Sequence, residues 1–363
     1  MGVKNYTSRV AKLKDRRQGG TSYTFDSADF SQQPNITEEY QRRARSEGLQ
    51  YALGAMQEVD AEYTKVSHGE KDRVTRQLID GLTNRGQNVS IELQGSLAIN
   101  IHVRRYSDVD LLVLPNDFFI YNANGPAAAT YYPSNLDRVT VVKTLRADCY
   151  STLTSAYPAV TVDNSGTKSI AMRGGSLQRK VDVVPALWYD SMMYQASRDK
   201  ADRGVQILDL EKNELSGNFP FKYMNAINWK DLKTSFGTKK AIRLLKTLKY
   251  DAEFEIDLSS FDIASLVWNM DDRSLTFPSF FETALLVSVQ SELQDLCNVR
   301  ERANALFVAD GTRKIIQTDK DFEALRRLNQ ELVDLIDSIG TELNANYYPS
   351  FERARVLLNE TRL

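Results

Sequence analysis

Within residues 93–115 the chain reads Leu93-Gln94-Gly95-Ser96 and, after eleven further residues, Asp108-Val109-Asp110-Leu111-Leu112-Val113. Side chains at i and i+2 of a strand share a face, so Asp108 and Asp110 project together while Val109 turns away. Two carboxylates about 7 Å apart along a strand repel unless a cation lies between them. The apolar run Leu111-Leu112-Val113-Leu114 marks a core strand, where unpaired acids are costly. That separates this Asp-x-Asp from the many that sit in solvated loops. Mg²⁺ or Mn²⁺ suits the pair: Mg²⁺ takes a few carboxylates with phosphate oxygens and water. Two such ions roughly 3.5–4 Å apart activate an attacking hydroxyl and stabilise a leaving pyrophosphate. Gly95 lets the backbone approach a phosphate, and the Ser96 hydroxyl and neighbouring N–H groups donate to its oxygens. The chemistry these residues suit is nucleotide transfer.

A third acid lies in Arg179-Lys180-Val181-Asp182-Val183-Val184-Pro185-Ala186-Leu187, a β-branched segment closed by a proline. Taken alone, Asp182 has a second reading as the partner of Lys180 or Arg179. Beside the Asp108/Asp110 strand it completes a three-carboxylate site. Further on, residues 230–250 form a helix with Ala241, Leu244, Leu245 and Leu248 on one side and Lys239, Arg243, Lys246 and Lys249 on the other. Such a basic side is either a solvated face or a seat for a triphosphate, and the density of cations favours the triphosphate.

The Gly-Ser, Asp-x-Asp and later single Asp resemble the polymerase-β-like nucleotidyltransferases. Within them the chain is similar to the CD-NTases, the cyclic GMP-AMP synthase/DncV-like enzymes of bacterial anti-phage (CBASS-type) signalling. The likeness runs from about residue 37 onward. It implies that Asp108, Asp110 and Asp182 are catalytic metal ligands and that Gly95 and Ser96 hold donor phosphates. In Arg243-Leu244-Leu245-Lys246 it implies a phosphate-binding lysine, Lys246 first and Lys249 second. In Leu258-Ser259-Ser260-Phe261 it implies that the Ser260 hydroxyl reaches a phosphate and that Phe261, in place of the more usual tyrosine, stacks on a base; helix N-cap and core filler are the plainer alternatives. The implied reaction joins nucleoside triphosphates (ATP, GTP or pyrimidine NTP) into a cyclic di- or trinucleotide that acts through a downstream effector. The alternatives are a template-independent nucleotidyltransferase acting on RNA or protein, and an inactive nucleotide sensor.

At 363 residues, 42% hydrophobic and 26% charged, the chain is long enough for two lobes. Lys plus Arg number 46 against 48 acids, so no global field attracts a polyanion, and small nucleotides suit the protein better than long nucleic acid. With Cys149 and Cys297 far apart and only His68 and His102 as histidines, neither a disulfide framework nor a structural zinc is expected. This departs from the zinc module by which animal cyclic GMP-AMP synthase senses DNA. No apolar run approaches a membrane span and residues 1–14 lack an apolar signal core, which leads to the expectation of a cytoplasmic protein with no membrane partner.

The expected fold is α/β: a polymerase-β-like lobe with a mixed sheet plus a helical C-terminal lobe. Residues 1–36 read as an arm, 37–225 as the nucleotidyltransferase domain and 226–363 as the helical domain. Residues 38–66 are largely helical, and a second amphipathic helix over 72–82 uses Val74, Leu78, Ile79 and Leu82. A strand spans 89–94, and 115–135 is a loop placed as a lid over the site. A helix over 136–153 and a hairpin of 159–162 with 169–172 lead to the Asp182 strand. Phe322, Leu325, Leu328, Leu332, Leu335, Ile339 and Leu343 form a packing stripe, and Trp188, Trp229 and Trp268 read as core or edge aromatics.

Overall fold

The computed structural model describes residues 6–18, 38–278, 280–343 and 351–362. Helices α1 (Thr7–Gln18), α2 (Glu39–Arg43), α3 (Glu47–Met56) and α4 (Ala61–Thr83) lead to β1 (Val89–Gln94) and the one-turn α5 (Gly95–Ala98). Then follow β2 (Val109–Pro115), β3 (Phe119–Tyr121), α6 (Arg138–Ala156), β4 (Thr161–Asp163), β5 (Ile170–Arg173) and β6 (Val181–Asp190). After α7 (Met192–Ser197) come β7 (Gly204–Asp209) and β8 (Glu214–Asn218). The remainder is helical: α8 (Pro220–Lys233), α9 (Gly237–Asp251), α10 (Ser260–Asn269), α11 (Glu282–Asn298), α12 (Arg300–Ala305), α13 (Asp319–Leu343) and α14 (Phe351–Glu360).

The sheet is mixed, in the order β1-β2-β6-β5-β4, with β3, β7 and β8 extending from the far half of β6. β2 and β6 run parallel and are apolar on both faces, as buried parallel strands are. One face packs Leu111, Val113, Val181 and Val183 against Val74, Leu78 and Leu82 of α4 and Leu145, Cys149 and Leu153 of α6. The other packs Leu112, Leu114, Val184 and Ala186 against Trp188 and Phe221. Asp60 and Asp137 cap α4 and α6, accepting from the backbone N–H of Tyr63 and Thr140 at 2.7 and 2.8 Å. β6 runs through Pro185 rather than closing there. The proline, with no N–H to give, falls where pairing with β2 ends at Val113↔Pro185 and pairing with β7 begins at Ala186↔Ile207.

Several expectations change. α4 is one helix spanning the 72–82 stretch, and Ile79 is 39% exposed because it falls off the face that α4 turns to the sheet. Residues 115–135 leave β2 at its C-terminal end, and β3 pairs with Trp188–Asp190 at the far end of β6. Asp110 and Asp182 lie near the opposite ends of those strands, five or more residues back at about 3.3 Å each. The segment is therefore not a lid over the acids. It is fastened where it lies by Tyr131, which stacks on Tyr121 and donates to Asp190 at 2.9 Å. Trp188 is buried and Trp268 packs against the core, but Trp229 is 59% exposed.

The helical core gathers more of the chain than residues 226–363. Tyr6, Val10 and Leu13 of the α1 region and Leu49, Ala52 and Leu53 of α3 share one cluster with Leu244, Leu245, Leu286, Leu328, Leu332 and Leu335. The described part of the expected arm is thus a docked helix; residues 1–5 and 19–36 of that arm lie outside the described residues. The stripe on α13 packs as expected except at Leu343, which is 37% exposed near the helix end. The β7–β8 hairpin was not anticipated.

Candidate active site

Strand register brings the acids together. Gln94 on β1 pairs with Asp110 on β2, and Asp110 pairs with Asp182 on β6, so a single row crosses three strands. Asp108 stands two residues before Asp110 and projects from the same side. Gly95 follows Gln94 with φ +73, in the left-handed region, and any side chain there would collide with Asp110 Oδ2. Glycine therefore serves both the turn from β1 into α5 and the space the carboxylate occupies. Ser96, half-buried in that turn, accepts the Ile101 N–H with its carbonyl at 3.0 Å.

Lys180 stands inside the acid cluster. Its Nζ donates to Asp108 Oδ2 at 2.6 Å and to Asp182 Oδ2 at 3.3 Å, so the second reading of Asp182 holds as well, with Asp108 added. Burial, reinforced by Asp182 and Asp108, pushes the Asp110 carboxyl up to about 7. Burial also raises the Asp182 carboxyl, and Lys180 opposes that shift. Among the described residues no three His, Cys, Asp or Glu side chains converge closely enough to enclose an ion, and the Lys180 ammonium bridges two of the acids, Asp108 and Asp182. The donor set still fits a hard divalent cation. It consists of carboxylate oxygens, and Asp182 Oδ1 is buried with no hydrogen-bond partner.

The predicted basic face of α9 is largely bonded within the fold, although Lys239 and Arg243 also line a cavity beside it. Arg243 donates to the carbonyls of Met56 at 2.7 Å and Asn100 at 2.8 Å. Lys246 is 1% exposed and donates to the Ile101 carbonyl at 2.7 Å. Burial brings its ammonium down to about 7, against the pull of Asp110. Lys249 donates to the Leu258 carbonyl at 2.6 Å. The structure brings Lys246 into the field of Asp110 but shows both ammonium groups bonded to backbone, because α9 is buried over most of its surface within the helical lobe. Ser259, not Ser260, caps α10, accepting the Asp262 N–H at 3.0 Å, while Ser260 Oγ lies 3.1 Å from the Tyr250 hydroxyl. Phe261 packs on Tyr223 with centroids 4.5 Å apart, the core-filler alternative.

Sequence reasoning missed Tyr106 and Tyr250, stacked at 4.1 Å and 3° beside Asp108. Burial, with Asp108 adding to it, raises the Tyr250 phenol. The available signal was a tyrosine two residues ahead of the Asp-x-Asp. A separate cavity of about 690 Å³ lies between α2, α3 and the α8–α9 junction and holds none of the three acids. Its charges are matched internally, Arg43 and Lys240 both meeting Glu282, so the chemistry belongs to the carboxylate row.

Residues 225–337 match the model of the cGAS/DncV-like nucleotidyltransferase C-terminal helical domain. The chain is 37% identical over 313 residues to the cyclic dinucleotide synthase CdnE of Yersinia aleksiciae, covering 85% of this chain and 80% of that one. The structure of a STING-associated CdnE c-di-GMP synthase from Capnocytophaga granulosa is similar with a TM-score of 0.70 at 27% identity, over 92% of this chain and 97% of that one. The fold is shared with a STING-associated CdnE c-di-GMP synthase from Flavobacteriaceae sp. at a TM-score of 0.74 and 23% identity, over 92% and 98% of the two chains. Fold and relatives define the class, a polymerase-β-like nucleotidyltransferase. Within it, the chain belongs to the CD-NTase family.

Proposed function

We propose that this enzyme joins two nucleoside triphosphates into a cyclic dinucleotide second messenger that acts on an effector in CBASS-type anti-phage signalling. The observation that carries the reading is the row Gln94–Asp110–Asp182 with Asp108 at its edge, which gathers three carboxylates beside the Gly95 turn. The name of the Yersinia relative as a cyclic dinucleotide synthase supports the product class. The substrates are drawn from ATP, GTP and pyrimidine NTPs.

Asp108, Asp110 and Asp182 would hold Mg²⁺ or Mn²⁺, which when bound activates the acceptor hydroxyl and neutralises charge on the leaving pyrophosphate. Asp108 and Asp110 would serve both the donor and the acceptor sides, and Asp182 would complete the acceptor side. Gly95 admits the donor backbone-close, and Ser96 donates to its phosphates. A ribose hydroxyl oxygen bonds to the α-phosphorus, the bond to pyrophosphate breaks and the hydroxyl proton passes to solvent. A second round closes the ring. Lys246 serves the donor side by holding the Ile101 carbonyl, which anchors the chain after α5; Lys249 and Ser260 tie α9 to the start of α10 through the Leu258 carbonyl and the Tyr250 hydroxyl.

Incubation with labelled NTPs and Mg²⁺ or Mn²⁺, followed by phosphatase, tests this reading. The expected product resists phosphatase and co-migrates with a cyclic dinucleotide. A phosphatase-sensitive ladder that lengthens with time, or label on added tRNA or protein, overturns it in favour of the tailing or transfer enzyme.

A further inference from the structure

We propose that the Lys180 ammonium is a built-in counter-ion of the acid cluster: in the metal-free enzyme it takes the place of a divalent cation between Asp108 and Asp182, and a metal must displace it to load the site. This rests on the metal-dependent reading above. The backbone dictates the placement. Val109 N–H donates to the Lys180 carbonyl at 3.0 Å, and Val109 pairs with Val181, which sets Lys180 beside Asp108 across the parallel ladder. Two residues before Asp182 on β6, Lys180 also shares that acid's face. One ammonium thus reaches Asp108 Oδ2 at 2.6 Å and Asp182 Oδ2 at 3.3 Å.

The arrangement is only half satisfied. Asp182 Oδ1 is buried without a hydrogen-bond partner although Oδ2 of the same carboxylate has the lysine. Three carboxylates against one ammonium leave the cluster net negative, so Lys180 screens the repulsion without removing the affinity for a stronger cation. Its side chain is 38% exposed, which gives the ammonium a way out to water while β6 stays in place. A lysine suits an exchangeable role: it is a point charge on a flexible stem, whereas an arginine would lock the carboxylates in a bidentate fork.

If the ammonium leaves the cluster in at most about 10% of molecules, apparent metal affinity is weakened at least about tenfold relative to a site without it. The test is Mn²⁺ binding to the full, nucleotide-free chain by electron paramagnetic resonance, comparing the native protein with Lys180→Met and Lys180→Arg. Lys180→Met is expected to bind Mn²⁺ about tenfold or more tightly, and to melt lower than the native protein in EDTA but not in saturating Mn²⁺. Lys180→Arg should bind no more tightly than the native protein. Equal or weaker Mn²⁺ binding by a folded Lys180→Met overturns the counter-ion role alone; failure of both proteins to bind millimolar Mn²⁺ overturns the metal-dependent reading and the proposal with it. A second measurement needs no variant: acetylation of Lys180 by an amine-reactive reagent, read by mass spectrometry, should rise several-fold when Mn²⁺ is added to the native protein. An unchanged rate in protein that binds Mn²⁺ overturns the displacement.

Discussion

Gly95 meets two demands at once, a left-handed backbone and an empty Cβ position against Asp110. Gly95→Ala should therefore lower stability by about 1–3 kcal/mol and also displace the central carboxylate. Thermal melting and cyclic-product synthesis are expected to fall together; a normal melt with normal synthesis removes the steric account. The acids themselves should behave in the opposite way. Burial and two neighbouring carboxylates hold Asp110 up at about 7, so its charge is unfavourable in the metal-free fold. Asp108→Asn with Asp110→Asn should abolish synthesis while leaving the melt in EDTA unchanged or higher, and EDTA should silence the native enzyme in the same way. Unfolding of the double variant would assign the acids a structural role.

At the scale of elements, α9 supports the segment that follows α5. Arg243 and Lys246 donate to the carbonyls of Asn100 and Ile101, and His102 comes next, 3% exposed, with Nε2 3.1 Å from Thr64 Oγ1. Replacing Lys246 with Met leaves the Ile101 carbonyl unsatisfied, at a cost of about 1–3 kcal/mol, so stability and synthesis should drop together. A raised KM for NTP with an unchanged melt would instead place the ammonium directly on a phosphate. Burial, with Lys246 and Arg243 nearby, lowers His102 to about 4, so it is neutral when folded. The unfolded chain takes up that proton near pH 6.5 and the folded chain only near 4, so the His102 contribution to stability should fall as pH drops through this window, by up to about 3 kcal/mol, while Asp110, held up at about 7, contributes in the opposite direction over the same range. In urea midpoints measured from pH 7 to 4.5, His102→Gln should gain stability relative to the native protein as pH falls, and an identical pH dependence of the two would exclude His102 as a contributor.

Across the whole molecule, α1 is tied into the helical lobe by buried polar contacts as well as apolar ones. Arg16 of α1 binds Asp251 at the end of α9, with Nη2 2.7 Å from Oδ2, and the Tyr51 hydroxyl of α3 donates to the same oxygen at 2.8 Å. Arg9 meets Glu331 of α13 at 2.7 Å. Arg16→Ala strands a buried carboxylate, and a loss of about 3–5 kcal/mol is expected. A melt within a degree or two of the native protein would show that α1 docks through its apolar contacts alone. Among the described residues no helix is long and apolar enough to cross a membrane.

Strand alternation, the Val- and Leu-rich runs and the Gly-Ser turn were legible in the sequence, because β-strand period and backbone conformation are local properties. They sufficed to place Asp108 and Asp110 on one face, Asp182 in a buried strand and a mixed sheet between helices. The sequence did not determine which strand lies beside which, so the row Gln94–Asp110–Asp182 and the seat of Lys180 against Asp108, 72 residues away, came only from the ladder registers. Nor could helical period tell an outer basic face from one bonded to carbonyls. Arg243 and Lys246 recur at helical spacing in either case, and only the packing of α9 among α3, α10 and α13 decides that their charges meet Asn100 and Ile101 instead of water. The site of the 115–135 segment was decided the same way. A loop's position follows the end of the strand it leaves, and β2 leaves its acids at the other end.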